Sequence, residues 1–422
     1  MTSTSTDPAI DGPGSPVDPR TPGYDAVLLA GFGGPEGPDD VMPFLRNVTR
    51  GRGIPDERLV EVSHHYQALG GRSPINEQCR ALQQALQAEL DRPVLWGNRN
   101  WEPYVADVVR DAHARGLTRL LGVATSAYSS YSSCRQYRED FGMALERTGL
   151  VGSVRIDKVQ PYFDLPGFRM SFVEGTVAAL RSAQAAGIAL ADVEIVFTTH
   201  SIPTTMADTS GSASLGDHGD GGAYVAQHLA VGAAVIDEVA AALGDVPAWQ
   251  LAYQSRSGPP SVPWLEPDIN DVITALAAAG RRGVVVVPIG FVSDHVEVIW
   301  DLDREAADTA QEAGLFFARV RTPGTDPRFV ADLAALIRHR LDAGESADSA
   351  ESVGSDPTTD RLPGLAGVTR RPDFCAPGCC VNARVTRPTT AAVDSAADWR
   401  SLAVDPARLV ASGIPGVDAT PR

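Results

Sequence analysis

Three carboxylates and a histidine lie close together in one segment, at a spacing that could serve metal chemistry. Glu297, Asp301 and Glu305 recur every four residues, and His295 precedes the first of them by two positions. On a helix this spacing places all three carboxylates on one face. A solvated surface face is the alternative interpretation. We favour a functional role because the row begins just after an apolar strand, where the sites of α/β proteins form.

A second histidine, His200, ends another apolar segment, residues 193–199. A neutral imidazole can accept a proton or bind a metal ion through its unprotonated nitrogen. A single histidine at a strand end is more often structural. Its value rises because Glu297 is expected at the equivalent place in the same domain, so the sequence favours a shared metal site.

Three cysteines, Cys375, Cys379 and Cys380, lie within six residues of one another. The segment around them has little periodicity and needs another source of stability, which a metal or an iron–sulfur cluster would supply. A local disulfide between the adjacent Cys379 and Cys380 is geometrically awkward. A fourth thiolate would come from Cys79 or Cys134. Three reduced surface cysteines are the alternative.

Two other segments carry weaker signals. The glycine-rich loop at residues 31–37 superficially resembles a dinucleotide-binding loop, but Glu36 stands where the third glycine would be, so a nicotinamide site is not favoured. The loop would still let a flat ligand approach the backbone closely. Asp217, His218 and Asp220 could ligate a metal, but their glycine-rich surroundings favour a solvated loop.

Strands and helices alternate along the chain and would position these residues. Predicted strands cover residues 24–30, 93–97, 117–124, 153–161, 193–199, 249–254, 283–289 and 316–320. Predicted helices cover residues 39–48, 75–90, 104–115, 167–186, 223–243, 268–279, 293–313 and 329–341. This alternation predicts an α/β fold with two doubly wound, Rossmann-like domains. Loops at the carboxyl ends of the strands form the site in such sheets, and His200, residues 255–263 and residues 290–297 fall there. Ser293 or Asp294 is predicted to cap the helix that carries the carboxylates.

Composition divides the chain into segments. Residues 1–23 are rich in Ser, Thr, Pro and Asp and are predicted to be a disordered tail. Residues 24–185 form a predicted N-terminal domain, and residues 186–324 a C-terminal domain that carries the metal site. A helix at 325–342 is expected to pack back on the first domain. Residues 343–422 are expected to form an acidic, Ser-rich linker and a cysteine-bearing extension.

Length and charge limit the classes of function. A chain of 422 residues with 43% hydrophobic residues suits two domains plus extensions. The net charge of −17 argues against nucleic-acid binding. We expect no secretory signal and no transmembrane helix. Five unevenly spaced cysteines favour a reducing, cytoplasmic location. Peripheral membrane contact and the choice between monomer and homodimer stay open.

Five segments in this order resemble the ferrochelatase family over residues 24–341. They read LLAGFGGPE (28–36), YQALGGRSPIN (66–76), THSIP (199–203), YQSRSGP (253–259) with PWLEPD (263–268), and PIGFVSDHVE (288–297). The resemblance implies two Rossmann-like domains that clasp a porphyrin in a cleft and insert Fe²⁺ with release of two protons. The Gram-positive branch, which this chain resembles, metallates coproporphyrin III in the route to haem b.

The resemblance also implies roles for particular residues. The metal-site histidine of the family falls on His200 and its glutamate partner on Glu297, and the acidic row leading outward falls on Asp301 and Glu305. Residues implied to contact the macrocycle and its propionates are Phe32, Arg50, Ser73, Tyr137 and Trp264. Some relatives carry a C-terminal [2Fe–2S] cluster, whose ligands fall on Cys134, Cys375, Cys379 and Cys380.

The implied mechanism leaves two points open. His200 is expected to accept pyrrole protons or to bind the metal first, while Glu297 balances the metal charge and takes part in proton release. Many soluble relatives carry a tyrosine that reaches the iron from the opposite face, at the position of Phe32. Phenylalanine has no oxygen to offer, so the ligand on that side is in question.

Other functions remain as alternatives. The chain could be a protoporphyrin IX ferrochelatase, or a related chelatase that loads cobalt or nickel. It could also be a porphyrin or haem carrier without turnover, with an iron–sulfur redox sensor. A downstream enzyme of the haem pathway is a further potential partner.

Overall fold

The computed structural model describes residues 23–51, 53–211, 218–258 and 261–343, together with residues 365, 379–381, 387 and 389–390. Apart from Gly23, the predicted N-terminal tail lies outside the described residues. Most of the predicted linker and extension, including Cys375, also lies outside them.

Parallel strands form two sheets in the described part of the chain. The strands are β1 Ala26–Gly31, β2 Val94–Asn98, β3 Arg119–Ala124, β4 Arg155–Lys158, β5 Val193–His200, β6 Ala248–Gln254, β7 Gly283–Val287 and β8 Phe316–Arg319. The first sheet has the strand order β2-β1-β3-β4 and the second the order β6-β5-β7-β8, with all neighbours parallel. Both sheets therefore share one topology, and the prediction of a doubly wound α/β fold is confirmed.

Helices connect the strands. They are α1 Val41–Val48, α2 Asp56–Ala68, α3 Ile75–Glu89, α4 Val105–Ala114, α5 Gln136–Thr148, α6 Pro166–Ala185, α7 Thr204–Asp208, α8 Gly222–Leu243, α9 Ile269–Ala278, α10 Val296–Trp300, α11 Ala307–Glu312 and α12 Pro327–Ala343. Tyr131–Arg135 and Asp301–Ala306 are π-helical, and Pro38–Asp40 and Leu190–Asp192 form 3₁₀ turns. Sequence patterning missed α2, which buries few apolar residues, and α5, which buries charged ones.

The core lies along the two sheets. Every residue of β1 and of β7 is buried, as expected for parallel strands with helices on both faces. We call residues up to 185, with the first sheet, the N-terminal half, and residues 186–324, with the second sheet, the second half. Helix α12 packs against α3 and α6 of the N-terminal half, where the rings of Phe329 and Phe168 have centroids 5.6 Å apart. The exact division of the chain into domains stays a prediction.

A buried histidine and its neighbours join the two halves. His228 of α8 stacks on Tyr128, which follows β3, with ring centroids 3.6 Å apart. The side chain of Gln227 accepts a hydrogen bond from the backbone N–H of Ser129 at 2.8 Å and donates to its hydroxyl at 2.9 Å. The Tyr128 hydroxyl donates to the carbonyl of Ile289 at 2.9 Å. These contacts fix the loop after β3 to the second half.

Helix α8 is long and apolar enough, by length and composition alone, to cross a membrane. In the fold it packs against α6 and α7, and its buried residues include the polar Gln227 and His228. Both polar side chains contact the N-terminal half, so α8 acts as a packing element between the halves. The cytoplasmic location stays a prediction.

His228 should make the protein sensitive to acid. Burial lowers the pKa of His228 to about 3, whereas the unfolded chain has the ordinary value of about 6.5. Between these values the unfolded state binds more protons, so the free energy of unfolding falls as the pH falls, by up to about 1.4 kcal/mol per pH unit. We expect His228→Phe to lose stability less steeply than wild type between about pH 6.5 and pH 5.

Urea unfolding at a series of pH values measures this slope. His64→Phe is the control because His64 is exposed, and it should keep the wild-type slope. Equal slopes in wild type and His228→Phe would contradict the prediction.

Candidate active site

The site lies where the winding direction of the second sheet reverses. In doubly wound sheets, ligands bind beyond the carboxyl ends of the strands at this switch point. Here it falls between β5 and β7, which pair directly. β5 ends at His200, and the loop after β7 leads to Glu297. The topology therefore brings together two residues almost 100 positions apart.

His200 and Glu297 lie side by side. Nε2 of His200 is 3.6 Å from Oε2 of Glu297. Nδ1 of His200 is 2.5 Å from the carbonyl oxygen of Ser201. A carbonyl oxygen can only accept, so Nδ1 is assigned as the donor, and Nε2 is the nitrogen that can take a proton or bind a metal. The two side chains are 33% and 51% exposed, so a ligand can reach both.

Each member of the pair changes the pKa of the other. Burial would lower the pKa of His200, but the hydrogen bond and charge of Glu297 outweigh it, so this pKa is raised. Burial would raise the pKa of Glu297, but His200 lowers it to about 2. The site therefore combines an ionised carboxylate with an imidazole of increased basicity.

A close approach of two backbones holds the pair in place. A Cβ atom at Gly290 would lie 2.1 Å from Oγ1 of Thr199, so only glycine lets the loop after β7 pass this close to β5. The hydroxyl of Tyr224 lies 2.7 Å from Oγ1 of Thr199 and donates to the carbonyl of His200 at 2.9 Å. Tyr224, from α8, thus fixes the end of β5.

The cap of the helix that carries Glu297 differs from the prediction. Nδ1 of His295 accepts a hydrogen bond from the N–H of Val298 at 3.4 Å, so His295 is the N-cap residue. The prediction of Ser293 or Asp294 is wrong. The carboxylate of Asp294 is held by Arg319 at 3.0 Å, and capping falls to the next residue. Burial lowers the pKa of His295, which favours the neutral, accepting ring.

The acidic row continues through a widened helical turn. The predicted helix at 293–313 is instead α10, the π-helical turn Asp301–Ala306 and α11. In an α-helix, residues four apart lie slightly beyond one full turn, so successive acids would drift around the axis. The wider π turn takes up this drift between Asp301 and Glu305. Glu305 lies at the exposed end, where its carboxylate accepts from the indole N–H of Trp300 at 2.8 Å.

Asp301 occupies the middle of the row. Its carboxylate accepts hydrogen bonds from the hydroxyl of Ser255 and, at 3.3 Å, from the amide of Gln254 at the end of β6. Burial raises the pKa of Asp301 to about 7, against the effect of the Ser255 hydrogen bond. Ser255 has φ of +61°, a strained conformation for a residue with a side chain, at the point where it contacts Asp301.

Comparison with known proteins identifies the family of this chain. The family model described as Ferrochelatase matches residues 24–341. The chain belongs to the ferrochelatase family. It is similar to proteins named coproporphyrin III ferrochelatase from three bacteria. The identity is 54% over 374 residues in Leifsonia xyli (86% of this chain, 92% of the relative). It is 50% over 380 residues in Streptomyces griseus (88% and 97%). It is 48% over 366 residues in Tropheryma whipplei (86% and 90%).

The N-terminal half of the chain reaches the acidic row through α2. His65 of α2 stacks on Trp300 with ring centroids 4.1 Å apart. Val296, next to Glu297, packs in one apolar cluster with Phe44 and Tyr66. The two halves therefore meet beside the His200–Glu297 pair.

Two of the predicted porphyrin contacts are accessible aromatic residues. Phe32 follows β1 and is 36% exposed, with its ring edge-on to Phe44. Trp264 is half-buried and is bridged through its backbone to Pro203, three residues after His200. Both therefore have surface available for a flat ligand.

The other three predicted contacts differ in burial. Arg50 is exposed just beyond α1. Ser73 is buried, and its N–H donates to the carbonyl of Pro35 at 2.9 Å. Tyr137 is also buried, beneath the guanidinium of Arg99 at 4.2 Å. Because both are buried, Ser73 and Tyr137 have little surface to offer a ligand. All five roles stay predictions.

Arg99, which follows β2, contacts two of the predicted porphyrin contacts and was missed by the sequence reasoning. Its guanidinium lies 4.2 Å from the ring centroid of Tyr137 and 5.9 Å from that of Phe32, and it pairs with Asp140 at 2.5 Å. Its Nη2 atom is buried and has no partner among the described residues. Its position at the carboxyl end of β2, where sites form in such sheets, could have indicated it.

The described cysteines are two in the N-terminal half, Cys79 and Cys134, and two adjacent ones in the extension, Cys379 and Cys380. Cys79 is buried next to Trp96, beneath β1, and burial raises its pKa to about 12. Cys134 lies in the π-helical segment Tyr131–Arg135 and is buried. Cys379 and Cys380 are buried thiols with sulfur atoms 3.7 Å apart, so they are not surface cysteines. Among the described residues, no group of three or more His, Cys, Asp or Glu is arranged to hold a metal.

Removing the carboxylate should change the basicity of His200. Glu297→Gln removes the charge that raises the pKa of His200 and leaves burial, which lowers it. We therefore expect a lower His200 pKa in this variant, measured by an NMR titration of the imidazole in metal-free protein. Glu305→Gln, at the far end of the row, serves as the control and should keep the wild-type value. An unchanged pKa in Glu297→Gln would refute the coupling.

Proposed function

We propose that this protein inserts Fe²⁺ into coproporphyrin III to give Fe-coproporphyrin III, with release of two protons. The observation that carries the proposal is the 3.6 Å approach of His200 and Glu297 at the switch point of the second sheet. The family supports ferrochelatase chemistry, and the names of relatives up to 54% identical support the coproporphyrin substrate.

Proton transfer is assigned to His200. The porphyrin must lose two pyrrole protons before its nitrogens can hold the metal. Nε2 of His200 is the available base, and Glu297 makes it more basic while it stabilises the imidazolium that forms. Glu297 is half exposed, so protons can pass to water beside it. His200 accepts the two protons in turn.

Iron is assigned to the acidic row. Carboxylate and imidazole ligands suit Fe²⁺ without the strong retention that thiolates would cause. Glu305 is exposed, Asp301 is half-buried and Glu297 lies beside His200, so the row leads from solvent to the base. Hydrated Fe²⁺ enters along it and loses water stepwise.

A cluster is proposed for the extension. Cys134, Cys375, Cys379 and Cys380 supply the thiolates of a [2Fe–2S] cluster, as the family resemblance implies. The support is chemical, because the three described cysteines are buried thiols and the N–H of Gly211 donates to the sulfur of Cys380 at 3.1 Å. When bound, the cluster supplies a redox-active centre. The oligomeric state and a downstream partner remain predictions.

An anaerobic insertion assay tests the main proposal. We expect wild type to metallate coproporphyrin III faster than protoporphyrin IX. His200→Ala should reduce the rate by about 100-fold or more, since it removes the base, while His113→Ala on α4 should not. Faster insertion into protoporphyrin IX would contradict the substrate, and tight porphyrin binding without turnover would indicate a carrier. Full activity of His200→Ala would reject the mechanism.

A separate kinetic experiment tests the iron path. Glu305→Gln removes a charge that attracts the cation, so we expect KM for Fe²⁺ to rise about fivefold, with kcat nearly unchanged. Glu312→Gln, on the exposed face of α11, is the matched control. A fall in kcat at constant KM would contradict this role for Glu305.

A further inference from the structure

Helix α5 contains a buried positive charge that nothing described neutralises. Arg138 is 2% exposed, and its Nε donates to the carbonyl of Thr390 at 3.0 Å. Its Nη1 and Nη2 atoms are buried and have no hydrogen-bond partner within the described residues. A guanidinium stays protonated and carries five donors in a fixed fork, so burying it without an anion is unfavourable.

The neighbouring carboxylates are already engaged by other arginines. Glu139 pairs with Arg135 at 3.3 Å and accepts from the hydroxyl of Tyr131 at 2.9 Å. Asp140 pairs with Arg99 at 2.5 Å. The start of α5 therefore lacks an acid for Arg138.

The location of Arg138 indicates which anion it faces. It lies four residues after Cys134, about one helical turn away on the same face. The C-terminal extension covers it, because the N–H of Thr390 donates to the carbonyl of Arg138 at 3.1 Å and both Thr389 and Thr390 are buried. The same extension carries Cys379 and Cys380. The charge is thus about one helical turn from a buried thiol and is covered by the extension that also carries Cys379 and Cys380.

We infer that Arg138 is the cation that balances the proposed [2Fe–2S] cluster and raises its reduction potential. The inference rests on the cluster proposed above. An oxidised cluster with four thiolates carries a net charge of about −2, and reduction adds another negative charge. Hydrogen bonds and positive charge near the sulfurs stabilise the reduced form. The fork of Arg138 has two amino groups available for this.

Redox titration of purified full-length protein tests the inference. Arg138→Gln removes the charge but keeps an amide donor, Arg138→Lys keeps the charge, and Arg147→Gln on the exposed end of α5 is the control. Iron and acid-labile sulfide per chain are measured together with the midpoint potential. We expect reduction to become about tenfold less favourable in Arg138→Gln, a midpoint about 59 mV lower. Arg138→Lys and Arg147→Gln should stay close to wild type.

The outcomes separate this inference from the cluster proposal. Wild type without iron and acid-labile sulfide after anaerobic reconstitution overturns both. Wild type with a cluster, and Arg138→Gln with the same content and potential, overturns the role of Arg138 alone. A purely structural role for Arg138 gives a different result, because Arg138→Lys would then change the midpoint potential as much as Arg138→Gln does. If Arg138→Gln does not fold, Arg138→Met provides the same comparison.

Discussion

The contact between one imidazole and one carboxylate is the constraint on which the rest of the site depends. Neither group alone combines a basic nitrogen with a fixed negative charge, and each obtains its protonation behaviour from the other. Their approach requires that two parallel strands end side by side and that Gly290 leave room for Thr199. The topology of the sheet is thus a condition of the chemistry, since a strand order without β5 beside β7 would separate the pair.

The strands and the proximity of His200 to Glu297 could be predicted from the sequence, and the reason is physical. Strands buried on both faces read as continuous apolar runs, so β5 and β7 were visible, and the rule for carboxyl ends then placed His200 and Glu297 at one edge. Features that depend on tertiary contacts could not be predicted from the sequence. The π turn at Asp301–Ala306 has no composition signal, and the cap moved to His295 because Arg319 engages Asp294.

The same reasoning explains why α5 was missed. A sequence pattern assumes that charged residues face solvent, yet Arg138 and Glu139 of α5, and Arg135 just before it, are all buried. Charges inside a protein are tolerated only when other charges or dipoles compensate them. When a helix buries charged residues, its sequence lacks the apolar face that identifies a helix, and it is therefore mistaken for a surface loop. Such a helix is recognised only when its surroundings are known.

The two halves contribute different kinds of surface to the place where they meet. The second half supplies His200, Glu297 and the acids behind them, whereas the first supplies aromatic rings and arginine, with Phe32 exposed above Arg99. Under the proposed function, the second half therefore handles the cation, whereas four of the five predicted tetrapyrrole contacts lie in the first half and Trp264 lies in the second. Substitutions in the first half could then change the ring that a descendant accepts, while His200, Glu297 and the acids behind them remained intact.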